Sequence, residues 1–167
     1  MTALISFIVF CQALGALVGA GSTVWGELAY IRAMRDGKID HAEHQHLRAI
    51  AHGLRWGMTL LLIASFALVV VAYLSHSGAQ PAVTASYWTL ITFALLIVYV
   101  SWALSRKHLS FALGSAIAFT AWWFLAYLTI GLMPALSFSA TVAFFIIATG
   151  IFYAILQYAR MLAKPKR

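Results

Sequence analysis

The side chains able to hold a metal or move a proton are few. There are six histidines, His41, His44, His46, His52, His76 and His108, and four acids, Glu27, Asp36, Asp40 and Glu43. Imidazole and carboxylate together suit zinc, iron, nickel or copper. His41 and His44 are spaced one helical turn apart, with Asp40 and Glu43 beside them. Glu27 is the one acid that falls within or next to a long apolar run. A carboxylate there is costly unless it is paired or hydrated, which makes it a functional candidate. Its two roles are a metal ligand, or a salt-bridge partner of Arg55 or Arg32. Glu27, His52, His108 and Gln157 also fall at the same-side ends of different apolar runs. If those runs pack as one bundle the four groups can converge, and helical bundles hold metals on inward Glu and His side chains. The expected metal set is therefore Glu27, His41, His44, His52 and His108. A haem with His52 and His108 as axial ligands is the related expectation. Arg48 weighs against both, because it sits one turn from His44 and from His52 and repels a second cation.

A second chemistry is anion binding. His41, His44, Arg48, His52 and Arg55 follow one another at spacings of three, four, four and three. Leu47, Ile50 and Leu54 form the opposing apolar stripe. The pattern predicts an amphipathic helix over 40–55 that leads into the second apolar run. Asp40 caps it and Glu43 completes a variant capping box. Arg48 and Arg55 could then hold an anionic lipid head group; the competing reading is a solvated face. Asp36, Gly37 and Glu43 have the spacing of the second half of a calcium loop. The first and third loop positions would be Arg32 and Met34, which cannot ligate calcium.

Gly15, Gly19, Ser22 and Gly26 recur at helical spacing in the first apolar run. Small residues let two backbones approach closely. They define a packing seam within the bundle, an interface with a second copy or another membrane subunit, or a face lining a permeation path. Other chemistries are poorly served. A single cysteine, Cys11, excludes a disulfide framework and a multi-cysteine metal site. Gly19-Ala20-Gly21 lacks the spacing of a phosphate loop.

The elements that must position these groups are membrane spans. Of 167 residues, 63% are hydrophobic and 9% charged, against roughly 45–50% and about 25% in soluble domains. Crossing a hydrocarbon layer takes roughly 20 apolar residues. Five stretches qualify, 4–25, 56–75, 87–105, 110–132 and 139–162. They predict one all-α membrane domain over 1–167. All 11 Lys and Arg residues fall in the first loop, the third loop or the C-terminal segment. The positive-inside rule then predicts N-terminus out and C-terminus in, in an inner (plasma) membrane if the source is bacterial. The net charge of +7 belongs to one membrane face. It points to anionic lipid there and not to nucleic acid. Trp122 and Trp123 lie mid-span and are expected to pack between helices or to face lipid as bulk. Three functions follow as expectations: binding or transport of a transition metal or haem, a non-catalytic accessory or scaffold subunit, and an enzyme or binder acting on an anionic lipid head group.

Overall fold

The computed structural model describes residues 2–35, 51–75, 80–134 and 136–163. They form helices α1 (Thr2–Arg35), α2 (Ala51–Leu74), α3 (Ala85–Ser105), α4 (Phe111–Ile130) and α5 (Phe138–Ala163). Each contains a stretch long and apolar enough to cross a membrane, and no strand occurs among the described residues. The predicted five-span, all-helical architecture is therefore present. Most of the predicted amphipathic helix over 40–55, including His41, His44 and Arg48, lies outside the described residues.

The largest boundary difference is in α1, which continues to Arg35 where hydropathy ends the span near Trp25. Hydropathy marks where lipid ends, not where a helix must stop. No proline interrupts Glu27–Arg35, so the backbone has no reason to break there.

α4 is the centre of the bundle and touches α1, α3 and α5, while α2 packs chiefly on α1. The middle of the core is aromatic. Phe93, Phe124 and Phe145 bring α3, α4 and α5 together at ring separations of 4.8–5.5 Å. Trp122 is the largest fully buried side chain. Gln12 Nε2 donates to Ser65 Oγ at 2.8 Å, and that hydroxyl donates in turn to Leu61 O. A buried amide between α1 and α2 is thereby satisfied without water.

The glycine seam is used inside the chain. A Cβ on Gly15 would lie 2.8 Å from Gly57 O and Leu61 N, and one on Gly57 would lie 2.7 Å from Gly15 O. Gly53 rests on Ser22, and Gly19 lies directly under the Trp122 ring. Gly26 is buried. Gly15 and Gly19 are thus covered by α2 and α4 rather than left for a second copy of the chain. The π-helical turn Leu54–Met58 falls at this crossing. There α2 must place Gly53, Gly57 and Leu61 against one face of α1.

One turn is strained. Lys107 follows α3 with φ 57°, a left-handed conformation in which glycine has no steric penalty. Lys107→Gly is expected to raise stability by about 1 kcal/mol. Thermal unfolding in detergent measures it, and a lower melting temperature would refute the strain account.

Candidate functional site

The antiparallel packing gathers one set of helix ends: the C-termini of α1, α3 and α5 and the N-termini of α2 and α4. This is the basic end of the bundle. Its central feature is a buried ion pair between helices far apart in sequence. Arg160, in the last turns of α5, reaches Glu27 of α1. Its Nη2 donates to Glu27 Oε1 and Oε2, both at 2.8 Å, and to Ser115 Oγ of α4 at 2.6 Å. Glu27 is 5% exposed, Arg160 4% and Ser115 2%. The Ser115 hydroxyl donates to Ala112 O at 3.2 Å, which leaves its lone pairs to accept from Arg160.

The cation also lies over two rings. The guanidinium carbon is 5.1 Å from the centre of Tyr30 and 5.2 Å from that of Phe111, and the two rings are 4.6 Å apart. Faces of aromatic rings attract a cation, more strongly once water is excluded. α1, α4 and α5 are therefore tied together by charge, hydrogen bonds and ring contact at one place.

The buried partner of Glu27 is Arg160, whereas Arg55 and Arg32 are exposed. The arginine that matters is Arg160, which sequence reasoning counted only among the C-terminal basic residues. A signal was present: Arg160 falls inside the fifth predicted span, and an arginine in lipid needs a counter-charge. Glu27 is the one acid near a span on the same side.

The expected metal ligands are not brought together among the described residues. Both Glu27 oxygens accept from a fixed cation, which disfavours a second cation nearby. His52 is exposed on α2. His108 is exposed and lies against Trp102, with ring centres 5.7 Å apart. Gln157 Nε2 donates to Tyr153 Oη at 3.2 Å. No group of three or more His, Cys, Asp or Glu able to hold a metal occurs among the described residues. His41 and His44 lie outside them.

What the basic end offers instead is donors. Arg32, Arg55, Arg106 and Lys107 are exposed there. Beside Arg160 lies a cavity of about 350 Å³ lined by Tyr30, Ser110, Phe111, Ala112, Gln157 and Met161. Toward the other end, α4 and α5 form an apolar groove of about 590 Å³ that includes Phe119, Trp123, Tyr127, Phe144 and Phe152. Of the two mid-span tryptophans, Trp122 packs between helices as expected, while Trp123 lines this groove.

Among the described residues, fold and site together define a bundle of five helices long and apolar enough to cross a membrane, locked at its basic end by a buried carboxylate–guanidinium pair. Comparison with protein-family models, curated proteins and solved structures finds no match to this chain.

Proposed function

We propose that this chain is a non-catalytic plasma-membrane protein of bacterial type that binds anionic lipid at its basic end. That end faces the cytoplasm, with the N-terminus outside. The observation that supports this is the segregation of charge. The exposed cations Arg32, Arg55, Arg106 and Lys107 all belong to one end of the bundle. The described residues of the other end, 80–85, 130–134 and 136–138, carry no Lys, Arg, Asp or Glu. A basic collar beside a leaflet of anionic lipid gains about 1 kcal/mol per cation. The exposed Trp25, Trp56, Trp102 and Tyr158 belong to the same end and suit the head-group layer.

Two readouts on one preparation test this. In nanodiscs of mixed phosphatidylcholine and phosphatidylglycerol, the lipid co-purifying with the chain is expected to be enriched in phosphatidylglycerol. The enrichment is expected to fall in an Arg55→Gln, Arg106→Gln, Lys107→Gln triple variant. In intact cells, a cysteine placed at Lys107 in a Cys11→Ser background is expected to react with a membrane-impermeant maleimide only after permeabilisation. Equal lipid composition in variant and parent, or labelling from outside, would overturn the proposal.

A further inference from the structure

We propose that the apolar groove between α4 and α5 binds the ring of a neutral, lipid-soluble quinone, whose tail stays in the surrounding lipid. The site lies away from the basic end and is independent of it.

Two rows of side chains build the groove. α4 sets Phe119, Trp123 and Tyr127 at spacings of four, so three rings stand in line on one face. Neighbouring rings in that line are 6.3 and 6.2 Å apart. α5 faces them with Phe144, Ala148 and Phe152, again at spacings of four. The middle member of the α5 row is a methyl group between two rings, and the space where a third ring would stand is the groove. Its volume is about 590 Å³, the size of a site for a small organic molecule. The floor is fixed: Phe124 is 6% exposed, and Ala148 packs against the buried core. Phe119 and Phe152, with ring centres 5.2 Å apart, close the end nearest the middle of the bundle. The rim is open, since Tyr127, Leu132 and Phe144 are all exposed. From Phe119 to Ile130, where α4 ends, the helix rises about 17 Å. Half the hydrocarbon thickness of a bilayer is roughly 15 Å. The groove therefore opens to the acyl chains of one leaflet, the one away from the basic end.

The surroundings select the occupant. A saturated acyl chain gains little by entering, because it leaves a medium as apolar as the one it enters. A ligand that prefers the groove must use something lipid tails lack, and the lining offers two such things. The first is the line of ring faces. The faces of Trp and Tyr rings are electron-rich, and a flat, electron-poor quinone ring stacks on them. The second is one hydroxyl donor. Tyr127 is 46% exposed, and among the described residues its hydroxyl makes no hydrogen bond. A quinone carbonyl gives that O–H an acceptor. The Trp123 N–H is sealed from solvent and lipid and takes no part. Charge excludes a charged head group. No Lys, Arg, His, Asp or Glu lines the groove, and residues 80–85, 130–134 and 136–138 carry no Lys, Arg, Asp or Glu. An anionic lipid finds no counter-charge here, whereas a quinone needs none.

The test uses the full chain, delipidated in mild detergent, with tryptophan fluorescence and thermal unfolding as readouts. Trp123 forms part of the groove wall, so a quinone ring bound there quenches its emission. The probes are decylubiquinone and, as a chain without a ring, decanol. Decylubiquinone is expected to quench saturably and to raise the melting temperature, and decanol to do neither at equal concentration. Ala148→Phe fills the gap in the α5 row and is expected to abolish the saturable quenching at unchanged helical content. Tyr127→Phe keeps the ring and removes the donor. It is expected to weaken quinone binding by about three- to tenfold and to leave the response to decanol unchanged. Quenching that rises linearly with quinone, as simple partition into the micelle produces, would overturn the proposal. An equal thermal shift from decanol would also overturn it, by making the groove a bed for any chain. So would saturable quenching that survives in a folded Ala148→Phe. If Ala148→Phe does not fold, Tyr127→Phe decides alone, because unchanged quinone affinity there removes the selectivity on which the proposal rests.

Discussion

Replacing Arg160 by methionine is expected to cost the protein about 3–5 kcal/mol, because it removes the buried guanidinium that bonds both oxygens of the Glu27 carboxylate and Ser115 Oγ. Glu27→Leu is expected to cost a similar amount by stranding the guanidinium. The double variant, Glu27→Leu with Arg160→Met, is expected to return to within about 1–2 kcal/mol of the parent. A buried ion pair contributes little net stability against an apolar pair of similar volume, yet breaking it from one side is severe. The surroundings sharpen the expectation. Glu27 is 5% exposed and Arg160 4%, and the pair joins α1 to α5 with Ser115 of α4 on the same nitrogen. Losing one partner therefore loosens three helices together. Reversible unfolding in mixed detergent micelles closes the double-mutant cycle. If the two single costs simply add up in the double variant, the two groups are uncoupled and the clamp is wrong.

The same pair shows what can be read from this sequence. Five spans are legible because each is a continuous apolar run, and a membrane leaves such a run little choice but a helix. The polar partners of a span are harder to find, because they are set by which faces meet. Glu27 and Arg160 are 133 positions apart, and no local spacing relates them. Charge balance within lipid does relate them, but only once Arg160 is read as part of α5 instead of the segment after it. The glycine seam was half legible. Gly15, Gly19, Ser22 and Gly26 announce a close approach, and Gly53 and Gly57 are the matching pair at spacing four. Read only as weak helix formers, those two glycines conceal their role as the partner surface. The π turn at Leu54–Met58 has no sequence mark of its own. Whether Glu27, His52 and His108 converge is not legible in the sequence for a related reason. Lying at the same end of a bundle does not make side chains face one another, and His52 and His108 point to its surface.

The α1–α4 contact should be equally intolerant of change, for a steric reason. Gly19 is buried beneath Trp122, and a Cβ there would overlap the six-membered part of the indole. Trp122 is 1% exposed and cannot swing away, so even Gly19→Ala must displace a backbone or the ring. Overpacking of this kind costs about 1–3 kcal/mol. Trp122→Ala errs in the other direction: it opens a large cavity and is expected to cost about 3–5 kcal/mol. Combining Gly19→Ala with Trp122→Ala gives the new methyl group space the indole has vacated. The double variant is therefore expected to be no less stable than Trp122→Ala alone, and more stable than the sum of the two single losses predicts. A seam serving a second copy of the chain would behave differently. Gly19→Ala would then lower the oligomeric state and leave unfolding of the monomer unchanged, and Trp122→Ala would not relieve it. Thermal unfolding of the four proteins, run beside light scattering in the same detergent, separates the two cases. The geometry assigns the seam to the fold of a single chain, so the loss should appear in unfolding.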